Sequence, residues 1–364
     1  MIFSEILNPG KKKLVLLTCP EELGSGSQMA FLGKYFGDRN QFGDNVEKGE
    51  DINPTYDISL SRFSARNNKG LIIDHASNIK EEINNHPDVS KIGALVIGSK
   101  SGIEDDISLI PKIDENVMWV VDLCQFRNSK KLVNQLLSMN CMVMITGSKF
   151  YMAPPFCGIM LIPKKVGDKI KKSKVEPAYI KGYDRIFSYY DFPSSYENLR
   201  KFLPKKVNKG LTLRWEIALD EMERFSSIST VTVNSLLNKW NTLVNKCIEE
   251  SKHFELMPHQ DKTNFTIISF KVKNPKGGFL EYDELRSYFK YVVDQKHDCF
   301  DRFDRVFFGQ PVRYGHGAFI RLAVGSNNIF NLLKRSPETR FDNDKILVDL
   351  LDRKVVEFMS EKNI

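Results

Sequence analysis

Five short, almost uninterrupted apolar segments in the first half of the chain constrain its fold most strongly. They are residues 14–18, 94–98, 117–122, 142–146 and 159–162. Each has the length of a β-strand, and helix-sized stretches lie between them. A strand that is apolar on both faces suits a sheet covered by helices on both sides. The pattern therefore predicts an α/β fold built on a mainly parallel sheet.

The spacing of apolar residues also predicts how the chain connects these strands. Residues 129–139 have helical periodicity and lie between two of the strands, which predicts a strand–helix–strand unit with a right-handed crossover. Residues 163–210 have no clean period and predict loops and short helices. Residues 212–248 predict one long helix that bridges to a second domain.

The C-terminal third predicts a small α+β domain. Strand patterns at 265–272 and 318–324 alternate with helix patterns at 282–292 and 344–359. We therefore expect a large cofactor-binding domain at residues 1–250, including the bridging helix, and a small domain at 251–364.

Composition excludes several classes of protein. The 364 residues are 41% hydrophobic and 27% charged, which is ordinary for a globular protein and excludes a disordered chain. No apolar run approaches the roughly 20 residues of a membrane span, and no secretory signal is visible. We therefore expect a soluble, cytoplasmic protein whose six cysteines are reduced. A metal site is not expected, because the nearest candidate, His297-Asp298-Cys299, places its ligands too close together.

The positive charge is local. Residues 164–209 contain 13 Lys and Arg against 5 Asp and Glu, a surplus of 8 that accounts for the net charge of +7. A solvated surface explains such a segment, whereas nucleic-acid binding is the weaker alternative because no nucleic-acid-binding motif accompanies it.

Polar residues follow two consecutive predicted strands and indicate the site. Asp122 and Gln125 follow one strand, and Thr146, Ser148 and Lys149 follow the next. Ligands of open α/β sheets collect at these strand ends. Pyridoxal phosphate needs such a set, because a lysine binds its aldehyde, a carboxylate keeps its ring nitrogen protonated and hydroxyls contact its phosphate.

The segments Val121-Asp122-Leu123-Cys124-Gln125 and Thr146-Gly147-Ser148-Lys149 resemble signatures of fold-type I pyridoxal-phosphate enzymes, within the class V aminotransferase and cysteine desulfurase superfamily. The resemblance implies that Lys149 is the Schiff-base lysine and that Asp122 pairs with the ring nitrogen. It implies that Gln125 contacts the phenolic oxygen of the ring and that Thr146 and Ser148 contact the phosphate. It also implies a homodimer that acts on a small amino acid or keto acid by transamination or by Cα/Cβ lyase chemistry.

The segment Phe319-Ile320-Arg321-Leu322-Ala323-Val324 resembles the family strand whose arginine binds the substrate α-carboxylate. Bidentate pairing with a carboxylate suits arginine better than lysine. Desulfuration is disfavoured, because Phe308 stands where desulfurases carry their nucleophilic cysteine, and Cys299 lies nine residues earlier.

The expected phosphate-binding loop is the main departure from the family. We expect the family's N-terminal arm to be absent from this sequence, and whether Met1 is the genuine start stays open. The Ser-Gly-Thr-like loop is either absent or supplied by another segment. Gly24-Ser25-Gly26-Ser27, before a predicted helix at 29–36, is one candidate loop. It resembles more closely a segment that follows the next strand in relatives. The alternative function is therefore a catalytically degenerate protein of this fold that acts as a binding or interaction module.

Overall fold

A computed structural model describes residues 1–113, 116–125, 130–258, 265–274, 277–297 and 306–362. Within this part the first half forms a six-stranded sheet. The strands and helices are α1 Ile2–Leu7, β1 Lys13–Thr18, α2 Ser27–Phe31, β2 Ile58–Phe63, α3 Ala76–Asn85, β3 Ser90–Val96, β4 Met118–Leu123, α4 Lys130–Ser138, β5 Met142–Thr146 and β6 Gly158–Leu161.

The strand order is β2-β1-β3-β4-β5-β6. The pairs between β2 and β5 are parallel, and β6 runs antiparallel to β5. Successive residues of β1 enter opposite cores, with Val15 and Leu17 on one face and Leu14 and Leu16 on the other. This two-sided burial explains why the strand reads as a continuous apolar run.

Short helices and then two long ones follow the first sheet. They are α5 Lys164–Lys172, α6 Pro177–Ile180, α7 Glu197–Arg200, α8 Lys209–Ser226 and α9 Thr230–Glu250. The single bridging helix predicted at 212–248 is therefore wrong. The chain breaks after Ser226, and the Ser229 hydroxyl accepts a hydrogen bond from the Thr232 amide at 3.1 Å, which caps the start of α9.

The remaining residues form a second, antiparallel sheet in the order β7-β8-β10-β9. Its elements are β7 Phe254–Leu256, β8 Ile267–Val272, α10 Tyr282–Asp294, β9 Gly309–Tyr314, β10 Gly317–Ala323, α11 Ser326–Lys334 and α12 Asp342–Lys362. Helices α9, α10 and α12 contribute Trp240, Tyr288 and Leu351 to the core that covers this sheet. The predicted fold class, a mainly parallel α/β sheet with a smaller α+β unit, is confirmed.

The boundary between the two expected domains at residue 250 stays a prediction. Helix α9 precedes that residue, yet Trp240 and Val244 pack in the core of the second sheet. In the described part of the chain, no helix has both the length and the apolar character needed to cross a membrane.

Candidate active site

Three neighbouring parallel strands carry the predicted cofactor-binding residues at their carboxyl ends in the first sheet. Strand β4 lies between β3 and β5, and Asp122 aligns with Val96 of β3 and Met144 of β5. Because the carboxyl ends of parallel strands lie on the same side of a sheet, the segments after β3, β4 and β5 meet there.

Asp122 is a buried carboxylate at the end of β4. Its Oδ1 accepts a hydrogen bond from the Cys124 amide at 2.7 Å, and the carboxylate also accepts a hydrogen bond from the Cys124 thiol. Burial raises the pKa of Asp122, while these hydrogen bonds and the positive charge of Lys149 oppose the rise. Burial and the Asp122 charge raise the pKa of the Cys124 thiol, so this cysteine is protonated at neutral pH. Asp122 is thus a poorly solvated acid that a nearby cation would stabilise.

Thr146 is the last residue of β5, and Ser148 and Lys149 follow it in a bend. The Thr146 and Ser148 hydroxyl oxygens are 2.8 Å apart, and the Ser148 amide donates to Thr146 Oγ1 at 3.2 Å. Thr146 also donates to the Cys157 carbonyl. Lys149 is exposed, and its charge acts on Asp122. Lys149 is therefore near enough to Asp122 for its charge to lower the pKa of that carboxyl.

Arg321 lies on β10, in the second sheet. The β9–β10 register shifts beside it, and Nη1 of Arg321 donates to the Gln310 carbonyl at 2.7 Å. Burial lowers the pKa of Arg321 to about 10, with the negative charge of Glu22 opposing the change, so the guanidinium stays protonated at neutral pH. The Ser326 amide, just after β10, donates to the carbonyl of Phe150 at 2.8 Å. This bond links the end of β10 to the residue that follows Lys149.

A buried polar network joins the first sheet to the second. The Glu22 carboxylate contacts Arg66 Nε at 3.3 Å, and it accepts hydrogen bonds from the hydroxyls of Ser99 and Ser101 and from the Ser101 amide. Arg66 also donates to the carbonyls of Gly70 and Pro258. No sequence pattern predicted this network. Glu22 and Arg66 are 44 residues apart, and Arg66 and Pro258 are 192 residues apart, so no local spacing indicates these contacts.

Lys100 lies in the same loop after β3. Its amide donates to the Glu22 carbonyl at 3.0 Å, and its half-buried ammonium lies 3.5 Å from the Glu21 carbonyl. Burial lowers the pKa of Lys100, and the positive charges of Arg321 and Lys149 lower it further. Lys100 is therefore close enough to Arg321 and Lys149 for their charges to act on it.

Comparison with known proteins identifies the architecture. No family model matches the chain, and no curated protein matches it. The chain is similar in structure to a phosphoserine aminotransferase from Cytophaga hutchinsonii, with a TM-score of 0.51, 15% identity and coverage of 99% of this chain and 80% of that one. It is also similar to an alanine–glyoxylate aminotransferase from Nostoc, with a TM-score of 0.56, 10% identity and coverage of 97% of this chain and 78% of that one. A third similar structure is a protein from Oryza sativa solved with pyridoxal phosphate and tryptamine, with a TM-score of 0.51, 9% identity and coverage of 98% of this chain and 67% of that one.

The chain has the fold of the fold-type I pyridoxal-phosphate enzymes. The resemblance inferred from the sequence is confirmed at the level of the fold. The roles of Lys149, Asp122, Gln125, Thr146, Ser148 and Arg321 stay predictions. Gln125 is half-buried in the turn that follows β4.

The candidate loop Gly24–Ser27 lies apart from the strand end that carries Thr146. It follows β1, which is separated from β5 by β3 and β4, a lateral distance of about 14 Å at three strand spacings. The adjoining helix α2 is only Ser27–Phe31, shorter than predicted, and Arg62 of β2 donates to the Gln28 side chain at 2.9 Å. The loop thus lies toward β2, away from Thr146 and Ser148, which weighs against a role in phosphate binding.

The residues considered for thiol and metal chemistry lie in the second half of the chain. Phe308 packs against the rings of Tyr288 and Phe289 of α10. His297 Nε2 donates to the Val292 carbonyl at 2.9 Å. Asp298 and Cys299 lie outside the described residues. Phe308 is therefore a packing residue.

Proposed function

We propose that this protein is a pyridoxal-phosphate-dependent enzyme of the class V aminotransferase type that acts on a small amino acid. The observation that carries the proposal is a buried carboxylate, Asp122, at the end of one strand, with Lys149 three residues beyond the end of the adjacent strand and its charge acting on that carboxylate. The fold of the chain supports it, because aminotransferases are among the similar structures.

The residues at this edge fit the cofactor. The poorly solvated Asp122 carboxylate would hold the protonated ring nitrogen, and Lys149 would bind the aldehyde carbon. The Ser148 hydroxyl would donate to the phosphate, and the Thr146 hydroxyl would do so by turning from the Cys157 carbonyl. Gln125 would contact the phenolic oxygen. When bound, the cofactor withdraws electrons from the Cα atom of an amino acid attached to it.

The protein's own groups then orient the substrate and move its proton. Arg321 would hold the α-carboxylate through its guanidinium, which stays charged at neutral pH. Once the amino acid has displaced Lys149, the free amine would take the proton from Cα and return it to a neighbouring atom. Delivery of this proton to the carbon that carried the aldehyde would lead to transamination, whereas departure of a substituent from Cβ with its bonding electrons would lead to lyase chemistry. The proposal covers both outcomes.

We also propose that the protein is a homodimer, as the family resemblance implies. Strand β6 is at an edge of the sheet, and its Ile159 is 48% exposed. Leu213 and Ile217 of α8 are 58% and 44% exposed. Exposed apolar residues on two adjoining elements favour a partner surface over free solvent. A cytoplasmic location also stays a prediction.

A catalytically degenerate binding module is the second candidate. The position of Gly24–Ser27 near β2 favours the binding module, because without this loop only Thr146 and Ser148 remain as predicted phosphate contacts. The presence of both Asp122 and Lys149 favours the enzyme.

The visible spectrum of the purified protein with pyridoxal phosphate tests the proposal. We expect a violet-blue absorption band that borohydride reduction fixes covalently to the wild type and not to Lys149→Ala. Lys165→Ala, an exposed lysine of α5, is the matched control and should behave as the wild type. A folded protein that remains colourless with added cofactor would contradict the enzyme and favour the binding module.

A further inference from the structure

A β-bulge beside Arg321 sets which residue of β9 stands opposite it. Phe319 of β10 pairs with Val312 of β9, and Arg321 pairs with Gly309, so β9 contains an extra residue between the two pairs. An unbroken register would place Gln310 opposite Arg321. Bulges are frequent beside active sites, where they re-aim a side chain. Here the bulge brings a residue without a side chain opposite the arginine.

The side chain of Arg321 fills the space that Gly309 leaves. A β-carbon on Gly309 would lie 2.1 Å from Cγ and 2.8 Å from Nε of Arg321, which is far inside van der Waals contact. Gly309 does not adopt a positive φ, so glycine is needed here for space. The arginine crosses to β9, where Nη1 donates to the Gln310 carbonyl at 2.7 Å. One of its five N–H donors is used in this way, and two others suffice for a carboxylate.

Pro311 restricts the carbonyl that receives the guanidinium. The residue before a proline is confined to extended backbone, and the ψ angle of Gln310 sets the direction of its carbonyl. Strand β9 is the outer strand of the second sheet, where a proline is tolerated. Gly309, Gln310 and Pro311 therefore supply the space, the acceptor and the direction of that acceptor.

Arg321 projects from the face of the second sheet that turns toward the first. Ile320 and Leu322 enter the main core of the second sheet, so Arg321 shares the opposite face with Phe319. The guanidinium of Arg66, which follows β2 of the first sheet, lies 5.7 Å from the centre of the Phe319 ring. The Gly309–Pro311 segment thus orients an arginine that faces the loops at the carboxyl ends of the first sheet.

We propose that Gly309 and Pro311 are positioning residues for Arg321 and hold its guanidinium over β9 in the orientation that binds the substrate α-carboxylate. An arginine already held in one conformation loses less conformational entropy when its ligand binds. The inference rests on the function proposed above, which gives Arg321 its carboxylate, and it adds the residues that decide where that carboxylate lies.

Protection of Arg321 from an arginine reagent tests the inference in the cofactor-free protein. Phenylglyoxal modifies arginines, and peptide mass spectrometry measures its reaction at the half-buried Arg321 with increasing propionate. We expect propionate to protect Arg321 in the wild type. Gly309→Ala should raise the half-protecting concentration about tenfold, the effect of one charge-assisted hydrogen bond. Pro311→Ala adds no bulk and should raise it less, about threefold.

Gly317→Ala is the matched control for disturbance of the same strand pair. A β-carbon on Gly317 of β10 would lie 2.5 Å from Cζ of Tyr314, and it would not contact Arg321. This variant should be protected as the wild type is, and an equal loss of protection in it would overturn the inference. Circular dichroism checks that each variant is folded. If Gly309→Ala is not folded, Pro311→Ala decides, and unchanged protection in that variant contradicts the inference.

Two aminooxy reagents give a second readout in the cofactor-loaded protein. Aminooxyacetate and O-methylhydroxylamine share the nucleophile that attacks the carbon bound to Lys149, and only aminooxyacetate carries a carboxylate. Gly309→Ala should slow the reaction with aminooxyacetate about tenfold and leave the reaction with O-methylhydroxylamine unchanged. Equal slowing of both would show that the substitution disturbs the cofactor, and the inference would be wrong.

The outcomes separate this inference from the proposed function. If propionate protects Arg321 equally in the wild type and in Gly309→Ala, the arginine binds a carboxylate without help from Gly309, and the inference alone is wrong. If the cofactor binds through Lys149 but propionate never protects Arg321, the inference fails and the cofactor chemistry stands. Protection that depends on Gly309 in a protein that binds no cofactor supports the inference and contradicts the enzyme.

Discussion

Asp122 holds its carboxylate at a position where water solvates it poorly. Burial is the largest influence on its pKa, and the Cys124 hydrogen bonds and the Lys149 charge offset it only in part. The pKa of the folded state therefore lies above the usual value of about 3.9. Since folding favours the protonated acid, the stability contribution of Asp122 is greatest below pH 4 and is lost as the pH rises through the folded-state pKa. A protonated ring nitrogen beside Asp122 would reverse this loss.

Replacement of Asp122 by Asn tests this balance. The amide oxygen of Asn can still accept the Cys124 hydrogen bond, while the desolvated charge is removed. We expect the cofactor-free Asp122→Asn protein to have a higher melting temperature than the wild type at pH 7 and the same one below pH 4. Thermal unfolding followed by circular dichroism across this range measures the difference. The exposed Asp88→Asn control should show no such effect, and equal melting temperatures at pH 7 would mean that Asp122 is adequately solvated.

The Glu22–Arg66 pair shows how strongly two buried charges depend on each other. Both side chains are fully buried, so removal of one leaves the other charged and uncompensated. We expect Arg66→Met to lower the free energy of unfolding by about 3–5 kcal/mol. Urea denaturation measures the change. The double variant Glu22→Gln/Arg66→Met should recover part of the loss, and a double variant less stable than Arg66→Met would show that hydrogen bonding, and not charge balance, dominates.

Predictability from sequence differs among these residues for a physical reason. Asp122 and Lys149 follow strongly apolar strands, so the sheet edge that brings them together could be predicted. Glu22 and Arg66 lie in loops and meet only when distant segments pack, which no local pattern records. Lys100 lies in a turn whose sequence is equally typical of a plain surface loop.

The strands and helices also differ in how well the sequence predicts them. Strands β1, β3, β4 and β5 could be predicted because both faces of each are covered. Strand β2, Ile58–Phe63, is an edge strand with polar residues between its apolar ones, and it lacks that signal. The break between α8 and α9 was missed because apolar residues continue on both sides of it, while the cap at Ser229 sets the actual start of α9.

The turn after β5 packs directly on α8. A β-carbon on Gly147 would lie 2.3 Å from the β-carbon of Ala218 and 3.2 Å from the sulfur of Cys157. Ala153, Cys157 and Ala218 form a small apolar cluster there. This close approach fixes the residues on either side of Gly147, namely Thr146 and Ser148, and so connects the packing of α8 to the position of Lys149.

Gly147→Ala should therefore destabilise the protein by overpacking, by about 1–3 kcal/mol in urea denaturation. Ala218→Gly alone should also be destabilising, by about 1 kcal/mol, because glycine weakens a helix interior. If the close contact is the cause, the double variant should be less destabilised than the sum of the two single changes. Additive effects would show that Gly147 is required for another reason.

In the whole molecule, both faces of the first sheet are covered, whereas β6, the strand at one lateral edge, is uncovered. Strand β6 is exposed along most of its length, and α8 beside it buries few side chains. An edge strand with apolar side chains readily pairs with or packs on another chain. The Gly147–Ala218 contact places this surface close to Lys149, so a partner bound here would also shield the candidate site from water.

The proposed homodimer predicts a clear response to charge on this surface. We expect the wild type to be a dimer in sedimentation equilibrium and Ile159→Lys to raise the dimer dissociation constant at least about tenfold, because the lysine would have to be desolvated in the interface. The control is Val231→Lys, at a residue that is 79% exposed on α9, and it should leave the dimer unchanged. A dimer that tolerates Ile159→Lys but dissociates with Ile217→Lys would place the interface on α8 alone. A wild-type monomer whose melting temperature is unaffected by any of these changes would contradict the dimer and leave β6 as a solvated edge.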